Sequence, residues 1–105
     1  MNNMQQLLNK AQKLQAQISK TQAELETKEV SGSSGSGMVS VTMTLKGVLK
    51  AISIDKSVVN PEEVDILEDL VFAAFNDAKQ KADKMFEDGM KEATGGLALS
   101  PGLSL

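Results

Sequence analysis

Residues 38–45, Met38-Val39-Ser40-Val41-Thr42-Met43-Thr44-Leu45, alternate apolar and mostly hydroxyl-bearing side chains, and this period of two decides the fold. Successive side chains of an extended strand point to opposite faces. Val39, Val41, Met43 and Leu45 therefore line one buried face, while Ser40, Thr42 and Thr44 line a polar one. Lys46-Gly47 supplies a short turn, and residues 48–56 return as a strand in which Val48, Ile52 and Ile54 share a face. On the upstream side, residues 31–37 contain only Ser and Gly and read as a flexible turn between two patterned elements. Lys28 to Ser31 is a candidate for a third, short strand before it. The expected sheet is antiparallel, with two or three strands.

Further out, the period changes to that of a helix on both sides. Residues 2–28 have no Gly, Pro or aromatic residue and are rich in Gln, Lys, Leu, Ala and Glu, which are mostly good helix formers. Met4, Leu7, Ala11, Leu14, Ile18, Thr21 and Leu25 follow a spacing of three and four, the seam of a helix packed on a partner, broken only by Thr21. At 1.5 Å per residue this helix is roughly 40 Å long, too long for so small a domain to cover, so part of it should project or pair with another chain. Downstream, Asn60-Pro61-Glu62-Glu63 combines a capping residue, Pro at the first helical position and early acids, which predicts a second helix over 61–93. Its apolar stripe, from Leu67 through Ala74, Phe75, Ala78 and Ala82 to Phe86, is wider than the first seam and should cover the sheet. Gly89 is expected to loosen the last turns, and residues 94–105 read as a tail of turn residues with scattered Leu. The chain is expected to be one α+β domain over 1–93 followed by that tail.

The 105 residues include no Cys, His, Trp, Tyr or Arg. Disulfides, thiolate metal sites, cysteine nucleophiles and the commonest general base are therefore excluded. No apolar run of about 18 residues occurs, and the first twelve residues lack the basic and apolar regions of a secretory signal, which predicts a cytoplasmic protein without a membrane role. Glu62/Glu63 and Glu68/Asp69 are paired carboxylates, but acids in a helix's first two turns complement its dipole without any catalytic role. The glycines at 32, 35 and 37 fit neither dinucleotide nor P-loop spacing, and a strand follows them where a phosphate cradle needs a helix. No catalytic residue, metal, cofactor or small-molecule substrate is expected. A 105-residue domain also buries a limited share of its surface, which makes a dimer the natural expectation.

The net charge of −3 conceals a division along the chain. Residues 1–28 carry four Lys against two Glu, and residues 61–105 carry four Lys against ten acids. The first 23 residues hold Lys10, Lys13 and Lys20 and no acid at all. At about 100° per residue these three fall within an arc of roughly 80° opposite the apolar seam, a cationic ridge suited to a polyanion. Lys81, Lys84 and Lys91 occupy a similar arc on the second helix, but Asp77, Asp88 and Glu92 are mixed among them, which favours solvated pairing.

The order of these elements, with the stretches Met4-Gln5-Gln6-Leu7-Leu8-Asn9-Lys10-Ala11-Gln12-Lys13-Leu14-Gln15, Glu29-Val30 with the Gly/Ser segment before Met38-Val39-Ser40-Val41-Thr42-Met43, Leu67-Glu68-Asp69-Leu70-Val71-Phe72-Ala73-Ala74-Phe75-Asn76-Asp77-Ala78, Thr94-Gly95-Gly96 and Pro101-Gly102, resembles the YbaB/EbfC family of bacterial nucleoid-associated DNA-binding proteins. The resemblance implies a dimer whose long helices project from a central sheet and bind double-stranded DNA with weak sequence preference, without enzymatic activity, in the nucleoid. Carried onto this chain, it points to Lys10, Lys13 and Lys20, with Lys81, Lys84 and Lys91 as a weaker second set. Glu68, Asp69 and Asn76 match its best-marked motif, and an acidic stretch suits capping, packing or the dimer contact better than phosphate. A second class of function fits the same order of elements: a structural or chaperone-like helix-hairpin-helix assembly module similar to prefoldin subunits. Such subunits need two helices of like coiled-coil character, whereas the second helix here is broadly apolar and aromatic. Single-stranded nucleic acid is disfavoured, because the strands carry no aromatic residue on which to stack bases.

Overall fold

The computed structural model describes residues 2–95. They form α1 (Asn2–Glu26), β1 (Glu29–Ser34), β2 (Val39–Thr44), β3 (Leu49–Ile54), a single 3-10 turn (Lys56–Val58) and α2 (Val64–Ala93). The strands make one antiparallel sheet in the order β1-β2-β3, so the fold is α+β with a long helix before and after the sheet. No helix among the described residues is long and apolar enough to cross a membrane.

The central strand behaves as its alternation requires except at Thr44, which is buried where its hydroxyl accepts from the Val48 N–H at 3.1 Å. Val39, Val41 and Met43 are fully buried and form the core with Leu25, Leu45, Ala74, Ala78 and Ala82. Ser31 and Thr42, opposite each other on the other face, join their hydroxyls at 3.0 Å.

The Ser/Gly segment differs from its expected role as a flexible loop. Ser31 to Ser34 continue β1, and only the tip is a turn, where Gly35, Ser36 and Gly37 all take positive φ. The reason is the approach of α2. A Cβ on Gly32 would stand 2.6 Å from the carbonyl oxygen of Ala74, against helix backbone that cannot move aside. Ser34 Oγ then donates to the carbonyl of Leu70 at 2.5 Å, anchoring the strand to the helix. Small residues are therefore needed where strand and helix touch, and Ala74, Ala78 and Ala82 supply the helix's half of that contact.

Two boundaries and one strand face also differ. α1 ends at Glu26, where Thr27 Oγ1 donates to the Glu24 carbonyl at 2.9 Å. α2 begins at Val64 and not at Pro61, because Asn60 closes a turn ahead of it: its Oδ1 accepts from the Glu62 N–H and its Nδ2 donates to Glu63 Oε1, both at 2.9 Å. In β3 an irregularity beside Thr42/Met43 brings Leu49 opposite Met43, so Leu49 and not Val48 shares the α2-facing side with Ile52 and Ile54. α2 closes at Thr94, whose N–H donates to Met90, with Gly95 in the left-handed region at φ 65°. The rest of the expected tail, residues 96–105, lies outside the described residues.

Candidate nucleic-acid interface

Among the described residues, α1 is buried or half-buried only at Ile18, Thr21, Leu25 and Glu26, all in its C-terminal half. Leu25 is buried against Gly89 of α2, where an added Cβ would stand 2.6 Å from the leucine's Cδ2, so the glycine is a socket and not a loosened turn. Thr21 and Ile18 are half-buried, whereas Leu14, Leu7 and Met4 on the same seam are exposed, Met4 by 67%. Leu25 meets Gly89 near the end of α2, Thr21 and Glu92 line the same concavity, and the molecule is 75 Å long where α2 alone spans about 45 Å, so α1 runs on past the end of α2 and does not lie back along it. The helices are thus antiparallel over this short overlap, and α2 ends about where Ile18 lies. Residues before Ile18 overhang.

Lys10 and Lys13 stand on this overhang and Lys20 at its root, all exposed. None of the three forms an ion pair among the described residues, although Glu24 lies four positions after Lys20. From Lys10 to Lys20 the rise is roughly 15 Å, about four phosphate steps along one strand of a duplex. Chemically the ridge is a row of unneutralised ammonium groups on a rigid helix, flanked by Gln6 and Gln17 as hydrogen-bonding side chains.

The second lysine set is placed differently. Lys81 pairs with Asp77 at 3.0 Å, Lys84 with Asp88 at 3.4 Å and Lys91 with Glu87 at 3.2 Å, all four positions apart on α2. Lys79 pairs with Asp83 at 2.7 Å in the same way. Exposed pairs of this kind add little stability, but each cancels the charge a phosphate would need. The Ser33 N–H, donated at 3.0 Å, and then Lys81 hold the Asp77 carboxyl below its ordinary pKa. Asp55 is lowered by hydrogen bonds from Ser57. Among the described residues no group of three or more His, Cys, Asp or Glu is arranged to hold a metal.

Gly32 and Gly89 are the positions whose role the sequence reading missed. A signal existed for the first: alanines four apart at 74, 78 and 82 mark a helix ridge made for close approach, and a glycine strand is its natural counterpart. For Gly89 no such pattern is present.

Comparison with known proteins places this architecture. A nucleoid-associated protein of Rhodospirillum rubrum is 50% identical over the whole chain and 98% of its own length, and one of Methylocella silvestris is 45% identical over the same shares. The crystal structure of an uncharacterised Helicobacter pylori protein superposes with a TM-score of 0.66 at 23% identity, covering 80% of this chain and 88% of the other, which shows a shared fold. The sequence pattern of the YbaB/EbfC DNA-binding family matches residues 1–97, and with relatives at this identity the chain belongs to that family.

Proposed function

We propose that this chain is a non-enzymatic, nucleoid-associated protein that binds double-stranded DNA as a homodimer, through phosphate contacts from Lys10, Lys13 and Lys20 of each protomer. The observation that carries the reading is the ridge of three exposed lysines, free of ion pairs among the described residues, on a helix that runs past the end of α2. Lys offers a compact point charge and no planar fork, so it favours phosphate over the bidentate readout of guanine, and sequence discrimination is weak.

The homodimer is supported by an uncovered apolar strip on the α2-facing side of the sheet. α2 packs on β1 and β2. Between it and β3, the side chains of Leu49, Ile52, Ile54, Val71, Phe72 and Phe75 line an open apolar groove, with Phe72 exposed by 69%. A two-fold pairing of such grooves removes apolar surface from water on both copies and doubles the lysine ridge.

Titrating a fluorescent duplex at several salt concentrations tests the function. With about six lysines engaging phosphates per dimer, log K falls against log salt with a slope near −5, nearly alike for unrelated sequences. A flat salt response, or no binding at low salt, rejects the proposal.

A further inference from the structure

The two edges of the sheet are finished differently. Exposed strand edges offer unpaired N–H and C=O groups that pair with other chains unless something blocks them. Just before β1, the Lys28 carbonyl accepts from the Leu45 N–H on the β2 side, and in the antiparallel register that follows Ser31 and Ser33 turn their backbone groups outward. Two of those outward groups are occupied by α2. The Ser33 N–H donates to Asp77 Oδ2 at 3.0 Å, Lys81 Nζ donates to the Ser31 carbonyl at 3.3 Å, and Asp77 and Lys81 pair with each other at 3.0 Å. On the β3 edge, Ile52 and Ile54 turn their backbone groups outward, and no bond from helix or loop to them is formed among the described residues.

We propose that Asp77 and Lys81 are an edge guard, which keeps copies of this chain from adding strand to strand along β1. The other i,i+4 pairs of α2, at 79/83, 84/88 and 87/91, bond no strand backbone, so helix surface chemistry alone does not explain why this one does. The strand also needs such a guard. Glu29-Val30-Ser31-Gly32-Ser33-Ser34 has no Pro and no Lys, and a single charge at its first residue, so it lacks the usual devices that blunt an edge. The pair sits at the surface, with the side chains of Asp77 and Lys81 37% and 54% exposed, and leaves the core untouched when removed. This inference does not depend on DNA binding or on the dimer, because it concerns assembly beyond whatever mass the native chain has.

Light scattering on the full chain tests it, comparing the native protein with the Asp77→Ala/Lys81→Ala variant over a wide concentration range. The native protein keeps one mass. The variant's weight-average mass at least doubles and climbs with concentration, while its circular dichroism keeps the native helix signal. Adding Ser33→Lys, which puts a charge back on the open edge, returns the variant to the native mass. A folded variant with unchanged mass overturns the proposal. So does growth that Ser33→Lys fails to reverse, or growth accompanied by lost helix signal, since either means aggregation by another route.

Discussion

Lys10, Lys13 and Lys20 of α1 and Lys81, Lys84 and Lys91 of α2 have the same spacing, three residues and then seven, on helices of 25 and 30 residues. Their surroundings are opposite. Each α2 lysine has a carboxylate four residues away and pairs with it, and Lys81 is also tied to the sheet. The α1 lysines stand on a helix whose first 22 residues contain no acid, and most of that stretch extends past the end of α2. The comparison teaches that lysine spacing alone does not mark a polyanion site. What separates the sets is whether a carboxylate actually pairs: each α2 lysine is matched four residues away, whereas Lys10 and Lys13 have no acid within a turn and Lys20 stays unpaired among the described residues although Glu24 is four positions on.

The most direct way to break the comparison is to remove each set in turn. On the proposed function, replacing Lys10, Lys13 and Lys20 by Ala weakens duplex binding on the order of a thousandfold near physiological salt and flattens the salt slope. The loss is about equal for all sequences, and the thermal midpoint stays near native. Replacing Lys81, Lys84 and Lys91 leaves the slope near its native value. Equal losses from the two triple variants, read by fluorescence anisotropy, would remove the distinction between the helices.

The next effect concerns how α2 is held. Gly32→Ala drives a methyl into the backbone of Ala74 and Ala78, lifting the helix from β1, and should cost about 3 kcal/mol in denaturant unfolding. Attachment of α1 is weaker and rests on one side chain. Leu25→Ala empties the Gly89 socket and should cost about 2 kcal/mol, with the added hydrogen exchange confined largely to residues 18–26. Protection lost equally across α2 would show that the helices are not separately anchored.

The sequence made the helices and the central strand legible because each has one clear period. Val39, Val41 and Met43 alternate and are buried, and the seam on α1 is buried at Leu25 and half-buried at Thr21 and Ile18, where α2 reaches it. The Ser/Gly segment was misread because glycine has two meanings: it permits turns, and it permits contact with another backbone. At Gly35 and Gly37 the first holds, and at Gly32 the second. Composition cannot separate them without the facing helix. Likewise, the acids near Lys81, Lys84 and Lys91 indicated pairing, but nothing in the spacing showed that Asp77 also accepts the Ser33 N–H. The candidate ridge on α1 was visible because it depends on absence of acids from a continuous segment, which a sequence displays directly.

The smallest effect comes from acid. Asp77 is held below its ordinary pKa by the Ser33 N–H first and Lys81 second, so its ionised form is favoured in the folded state. A carboxyl of this kind contributes its stability in full above the unfolded-state value of about 4, and loses it as pH falls through the lower folded-state value. The stability of the native chain should therefore fall more steeply below pH 4 than that of Asp77→Asn, whose side chain can still accept from Ser33 but does not titrate. The two curves should run parallel above about pH 5. No corresponding acid-dependent loss should be traceable to α1, where the first 22 residues of the helix carry no carboxylate to protonate. If Asp77→Asn reproduces the native acid limb in thermal melts, the carboxylate is not coupled to the β1 edge in solution, and α2's lysines are held by helix geometry alone.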